Sequence, residues 1–143
     1  MPVEIQSAQP GDPALHDFWS AGEREALKSF WGFSVVWHEQ THEFTARDSE
    51  RIVGALRTRI AASMAHLDAL VVTPDMRRHG IGRSLVERCE EVANYYNCHK
   101  VTVEVPVNGA ARSFFEACGY KLDAILPQHT FKLDVAVLRK FLL

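Results

Sequence analysis

Leu70-Val71-Val72-Thr73-Pro74-Asp75-Met76-Arg77-Arg78-His79-Gly80-Ile81-Gly82 is the stretch on which the fold turns. An apolar run stops at Thr73-Pro74-Asp75, as a strand does where proline removes a ladder donor. From Gly80 the period changes. Ile81, Leu85, Cys89, Val92 and Tyr96 fall on one helical face, while Arg83, Glu87, Glu90 and Glu91 fall elsewhere. The segment therefore reads as strand, glycine turn, amphipathic helix. Glycine lets a backbone approach a ligand closely. The free N–H groups and dipole of a helix start favour phosphate. Arg77, Arg78 and Arg83 add positive charge there. The turn lacks the Gly-Lys-Ser/Thr of a Walker loop. It also lacks the third glycine of the dinucleotide fingerprint, which would fall at Leu85. By itself the stretch leaves a plain glycine turn open as an alternative.

Working outward, Ala65 to Val72 completes the strand before the turn. Glu43 to Asp48 and Ile52 to Ile60 read as two earlier strands joined by Asp48-Ser49-Glu50-Arg51. Val3-Glu4-Ile5 opens a first strand, and Pro10-Gly11-Asp12-Pro13 ends it as a turn. Ala14 to Phe30 carries a helical pattern interrupted near Gly22. On the other side, Val101, Val103 and Val105 alternate with Thr102 and Glu104 as a strand. Asn108 is placed to cap a helix whose inner face holds Ala111, Phe114, Phe115 and Cys118, with Gly119 at its C′ position. Tyr120 to Leu126 and Thr130 to Leu133 pair as a final hairpin, and Val135 to Leu143 follows as a short apolar tail. Strand–helix–strand–helix order in the second half implies parallel neighbours. The expected fold is α/β, a mixed α+β sheet of about six to seven strands flanked by helices.

The stretch from Leu70 to Gly82 resembles the acyl-CoA-binding motif of the GNAT superfamily of N-acetyltransferases. Asn108-Gly109-Ala110-Ala111-Arg112-Ser113-Phe114-Phe115-Glu116-Ala117-Cys118-Gly119-Tyr120 is similar to that family's second motif, in the family's order. The resemblance covers about residues 43 to 133, and it implies a single GNAT domain over residues 1–143 with acetyl-CoA as co-substrate. It places the pyrophosphate on the backbone of Arg78, His79, Gly80, Ile81, Gly82 and Arg83, with Arg77 alongside. The pantetheine arm would add as a strand beside Leu70, Val71 and Val72, with Asn108 reaching it by its side chain. Pro106 would end pairing on the neighbouring strand, so that the two strands splay and admit the arm.

The reaction so implied needs a neutral amine, a polarised thioester carbonyl and a departing thiolate. A carboxylate acting through water serves the first need. Glu104 resembles the family's catalytic glutamate by element, and Asp68 is the second candidate. Either also reads as a solvated strand residue. His66, two residues from Asp68, shares its strand face and reads as its polar partner. The backbone N–H at or near Val72 is placed to polarise the carbonyl. Many relatives carry tyrosine where Phe115 stands, and phenylalanine has no proton to give a thiolate. That departure sustains an alternative class, a GNAT-fold module that holds acyl-CoA without turnover.

The bulk properties exclude other classes. The chain has 143 residues, 47% of them hydrophobic, enough for one domain with a core. Its formal charge of −2, with seven histidines, offers no general attraction for nucleic acid or an acidic membrane. Cys89, Cys98 and Cys118 form no C-x-x-C pair and read as reduced. No signal-like segment opens the sequence, and Phe30 to Trp37 is too short to span a bilayer, so a cytoplasmic location is the expectation. His38-Glu39-Gln40-Thr41-His42 matches H-E-x-x-H literally, but strand-like residues follow where a zinc-binding helix is needed. Phe30, Trp31, Phe33 and Trp37 read as core in preference to an acceptor pocket. The tail either covers the sheet or forms a homodimer contact. The acceptor is a small-molecule or peptide amine whose identity the sequence leaves open.

Overall fold

The structure, a computed structural model, describes residues 2–142. Leu143, the last residue of the apolar tail, lies outside them with Met1. The chain forms two compact units, residues 1–37 and 38–143. In the first, no strand forms at Val3-Glu4-Ile5, because among the described residues of the unit there is no strand to pair with. Helix α1 spans Pro13–Trp31. Asp12 caps it through Ala14 N at 3.0 Å, and Pro13 presets φ at the first turn. Gly22 does not interrupt it, since an interior glycine costs only about 1 kcal/mol against alanine. Phe30, Trp31, Phe33 and Trp37 are exposed, so the expectation of core does not hold for them.

In the second unit β1 is Gln40–Asp48, β2 Arg51–Ala61, β3 Met64–Val72, β4 Lys100–Pro106, β5 Lys121–Thr130 and β6 Leu133–Phe141. Helix α2 spans Ile81–Tyr95 and α3 spans Ala110–Ala117. The strands form one six-stranded mixed sheet in the order β1-β2-β3-β4-β6-β5. Only β3 and β4 are parallel, as a strand–helix–strand crossover requires. The residues placed in an apolar tail are β6, which lies between β4 and β5 and buries Ala136 and Leu138 completely. Their composition alone did not separate a covering tail from an inner strand.

Alternation assigns the faces. Val101, Val103 and Val105 join Leu85, Val86, Cys89 and Phe115 in one buried cluster, so α2 and α3 cover the same face of the sheet. Buried on that side, Tyr120 donates its hydroxyl to Glu90 at 2.9 Å, and Lys140 reaches the same carboxylate at 2.9 Å. The opposite face carries Arg57, Arg59, His66, Asp68, Thr102 and Glu104.

The parallel pairing of β3 with β4 runs only from Met64↔Lys100 to Leu67↔Val103. Asp68 is the extra residue of a β-bulge against β2, between Thr58↔Leu67 and Arg57↔Ala69. A bulge bends its strand and raises local twist. Beyond it Ala69 to Val72 still pair with β2, while Glu104 to Pro106 pair only with β6. The strands therefore part at the bulge, three residues before Pro106. Pro106 itself stays in register with Val135, so it is not what ends the pairing.

Candidate acyl-CoA-binding and active site

Where β3 and β4 part, a cavity of about 780 Å³ opens toward α2 and α3. Leu70, Val71 and Val72 form one wall. Arg77, Arg78, Gly80, Ile81, Gly82 and Arg83 form its head, and Phe115 its far side. Four lining residues were not among the candidates: Met76, Ala110, Ala111 and Phe114. The alanines had a legible signal, since a helix that faces a groove with small side chains leaves room for a chain to pass.

The loop from β3 to α2 is held by its own polar contacts. Arg51 grips Asp75 with two hydrogen bonds of 2.9 Å. That pairing, with Thr73 next, lowers the exposed Asp75 carboxyl to a pKa of about 2. Arg77 Nε donates to Val72 O at 3.2 Å, so it braces the strand end. Arg83 Nη2 donates to Ala117 O at 3.2 Å and pairs with Glu87 at 3.7 Å. Among the described residues, Arg78 and His79 make no side-chain hydrogen bond or ion pair. Arg78 holds a left-handed φ of 66° without being glycine, and strain of that kind costs on the order of 1 kcal/mol. Gly80 takes φ 78° as the N-cap of α2 and offers no side-chain cap, which leaves the first-turn N–H groups of α2 without one. Such a start attracts an anion.

The two glycines serve different needs. Gly80 has open space where a Cβ would stand, so its requirement is conformational. A Cβ on Gly82 would lie 3.2 Å from Phe114 Cζ, so its requirement is room for α3. His79 lies instead in a separate cleft of about 490 Å³ beside Glu43 to Ala46 of β1.

The second motif is placed by its caps. Arg112 donates to Val107 O at 2.9 Å and fixes the loop after β4. Gly109, with φ 126°, is the N-cap of α3, and Asn108 makes no capping bond, which corrects that assignment. Asn108 is exposed and does not line the cavity. At the other end Gly119 takes φ 96°, and bonds from Gly119 N to Glu116 O and Tyr120 N to Phe115 O close a Schellman motif. Phe115 is buried, edge-to-face with Phe114 at 5.0 Å and with Tyr120 at 5.4 Å.

Neither carboxylate lines the cavity. Both lie on the sheet's opposite face, on either side of the parting strands. Asp68 receives Arg59 through bonds of 2.7 and 2.9 Å. Those bonds, before the contributions of His66 and Arg57, hold its carboxyl below the usual range, which makes it a weaker base. His66 Nδ1 lies 2.8 Å from Thr102 Oγ1, and its Nε2 lies 3.8 Å from Asp68, the expected polar partnership. Glu104 is exposed and makes no hydrogen bond or ion pair among the described residues. Tyr120, the nearest hydroxyl to Phe115 in sequence, is committed to Glu90; burial first, then that carboxylate, pushes its phenol far above the ordinary range. His42 belongs to β1 and lies 3.0 Å from Gln40 Oε1. His38 precedes the strand, so H-E-x-x-H forms no helical metal face. No helix among the described residues is long and apolar enough to cross a membrane.

A mixed sheet that parts beside an uncapped glycine-turn helix defines an acyl-CoA N-acyltransferase fold. The family model of the GNAT acetyltransferases matches residues 10–120, and the chain belongs to that family. The PanD regulatory factor of Salmonella typhimurium is 31% identical over 109 residues, covering 73% of this chain and 86% of that protein. Among solved structures, an acetyltransferase from Bacillus cereus superposes with a TM-score of 0.69 at 15% identity, over 96% of this chain and 98% of that one. The ribosomal-protein-S18-alanine N-acetyltransferase of Escherichia coli gives 0.64 at 20% identity, over 95% and 91%.

Proposed function

We propose that the protein moves the acetyl group of acetyl-CoA to a primary amine by direct attack, residues 1–143 working as one N-acetyltransferase domain in the cytoplasm. The observation that carries this reading is the parting of β3 from β4 at Asp68, next to the uncapped start of α2. The residues present fit the co-substrate. The unpaired edge of β3 from Leu70 to Val72 offers backbone groups to a pantetheine arm, and Phe114 and the alanines of α3 offer it an apolar bed. Arg78 and the α2 start suit the pyrophosphate. When bound, acetyl-CoA supplies the activated acetyl thioester. Backbone N–H groups near Val72 polarise its carbonyl.

Glu104 takes the amine proton through one water, with Asp68 as reserve. The free state of Glu104 supports that order, as does the engagement of Asp68 by Arg59. No acid is required at Phe115, because an alkyl thiol of pKa about 8.5 departs as thiolate near neutral pH.

A second reading has its own support. The relative named a regulatory factor of PanD, together with Phe115 in place of a hydroxyl, suits a module that binds acetyl-CoA and contacts a protein without turnover. Calorimetry with acetyl-CoA and thiol release across a panel of amines decide between them. Binding with release supports transfer. Binding with no release from any amine supports the regulatory module, and no binding overturns both.

A further inference from the structure

The start of β2 holds the turn between β3 and α2 from behind. Arg51 reaches Asp75, 24 positions along the chain, with two hydrogen bonds of 2.9 Å. Val53 O accepts from Thr73 N at 2.8 Å, one residue past the last β2–β3 register pair, Gly54↔Val72. Gly54 seats the first turn of α2, since a Cβ there would stand 3.0 Å from Ile81 Cγ2 and 3.1 Å from Leu85 Cδ1. Glycine inside a strand marks such a close approach. The segment from Arg51 to Gly54 thus fixes the end of β3, the bend at Asp75 and the start of α2.

Little else holds that region. β4 leaves β3 after Leu67↔Val103, so among the described residues β2 alone pairs with Ala69 to Val72. Between the anchors at Asp75 and Ile81 lies Arg78, with its left-handed φ of 66°. A strained residue persists only where its surroundings over-determine it. Asp75 held by Arg51 and Ile81 seated on Gly54 fix the two ends of the short span that contains it. Neither Arg51 nor Asp75 lines the cavity. Their side chains are 55% and 57% exposed, and an exposed pair adds little to global stability. Its effect is therefore local, on the shape of the turn.

We propose that Arg51 and Asp75 are a positioning pair for acetyl-CoA, preshaping the turn that receives the pyrophosphate without touching it. The assignment rests on the acetyl-CoA reading of the α2 start, and it adds a residue, Arg51, that lies outside both motifs. A turn shaped in advance spares the ligand the cost of ordering it. Loosening the anchor should then weaken every ligand that carries the pyrophosphate, and by a similar factor.

The test is calorimetry on the full chain with acetyl-CoA and with adenosine 3′-phosphate 5′-diphosphate, which keeps the linked phosphates and lacks the pantetheine arm. Arg51→Met and Asp75→Asn should each raise Kd for both ligands roughly fivefold, within the range by which such anchors modulate a neighbouring site. The double variant should lose no more than either single one, because both changes remove the same contact. Arg51→Lys should recover part of the affinity, since it keeps the charge without the fork. A structural role alone would lower the thermal midpoint and leave Kd as it was; the positioning role does the reverse. Unchanged Kd in folded Arg51→Met, losses that multiply in the double variant, or a loss for acetyl-CoA that spares the nucleotide overturns the positioning pair while leaving acetyl-CoA binding standing. A parent protein that binds neither ligand overturns the acetyl-CoA reading and the positioning pair with it.

Discussion

Glu104 and Asp68 differ in what surrounds them, and that difference ranks them as candidate bases. Asp68 gives both oxygens to Arg59, whereas Glu104 has no partner among the described residues. Removing a general base costs about 10²–10⁴ in rate. Glu104→Gln should therefore lower kcat within that range, most at the acidic end, where neutral amine is scarcest. A pH–rate profile unchanged in this variant would transfer the role to Asp68 or to no residue. Tyr120 offers the complementary case. Its hydroxyl is turned to Glu90, Tyr120 does not line the cavity, and its proton is held tightly. Tyr120→Phe should change kcat by less than about tenfold, below the contribution of a positioned acid. The same change should lower stability by about 1–2 kcal/mol in chemical denaturation, because Glu90 keeps Lys140 but loses its neutral donor. A kcat loss beyond about a hundredfold, with KM for acetyl-CoA unchanged, would make Tyr120 the acid.

At the scale of elements, the strand–turn–helix was legible because each of its parts has a local cause. Apolar period, proline stop and glycine turn all lie within thirteen residues. The bulge was not legible. Nothing in Leu67-Asp68-Ala69 announces an extra residue; it is defined only against Arg57 and Thr58 of β2. The function of Gly82 was likewise half legible. Its closeness to a ligand was inferred from sequence, but its contact with Phe114 joins residues 32 positions apart. Gly82→Trp should displace the Phe114 ring and fill the head of the cavity, abolishing acetyl-CoA binding by calorimetry while circular dichroism stays native. A folded variant that binds as tightly as the parent would misplace the site. Asn108 illustrates the reverse error. A cap residue before a helix was a sound local reading, yet the cap position falls one residue later, at Gly109, whose φ of 126° a side chain would resist, and the helix begins at Ala110.

The whole molecule depends on a strand that sequence order hides. β6 is last in the chain but pairs with β4 along Lys100 to Pro106 and with β5 on its other edge. It also carries Lys140 to Glu90 of α2. Ending the chain at Lys132 should thus expose Val103 and Val105 and leave β5 without a partner. Such a protein should lack a cooperative thermal transition by circular dichroism. A sharp transition near that of the full chain would show that β6 is dispensable.

The sequence by itself determined the family, the two motifs, the glycine turn and the identity of the candidate base, because each is written in residues close along the chain. Period, capping chemistry and turn propensity act over a few residues and need no partner. The tertiary structure alone decided where β3 and β4 part, that β6 enters the sheet, and that Asp68 is spent on Arg59. Those are pairings between segments distant in sequence. Their outcome is set by register and by which side chains meet across strands, quantities that exist only once the sheet has closed.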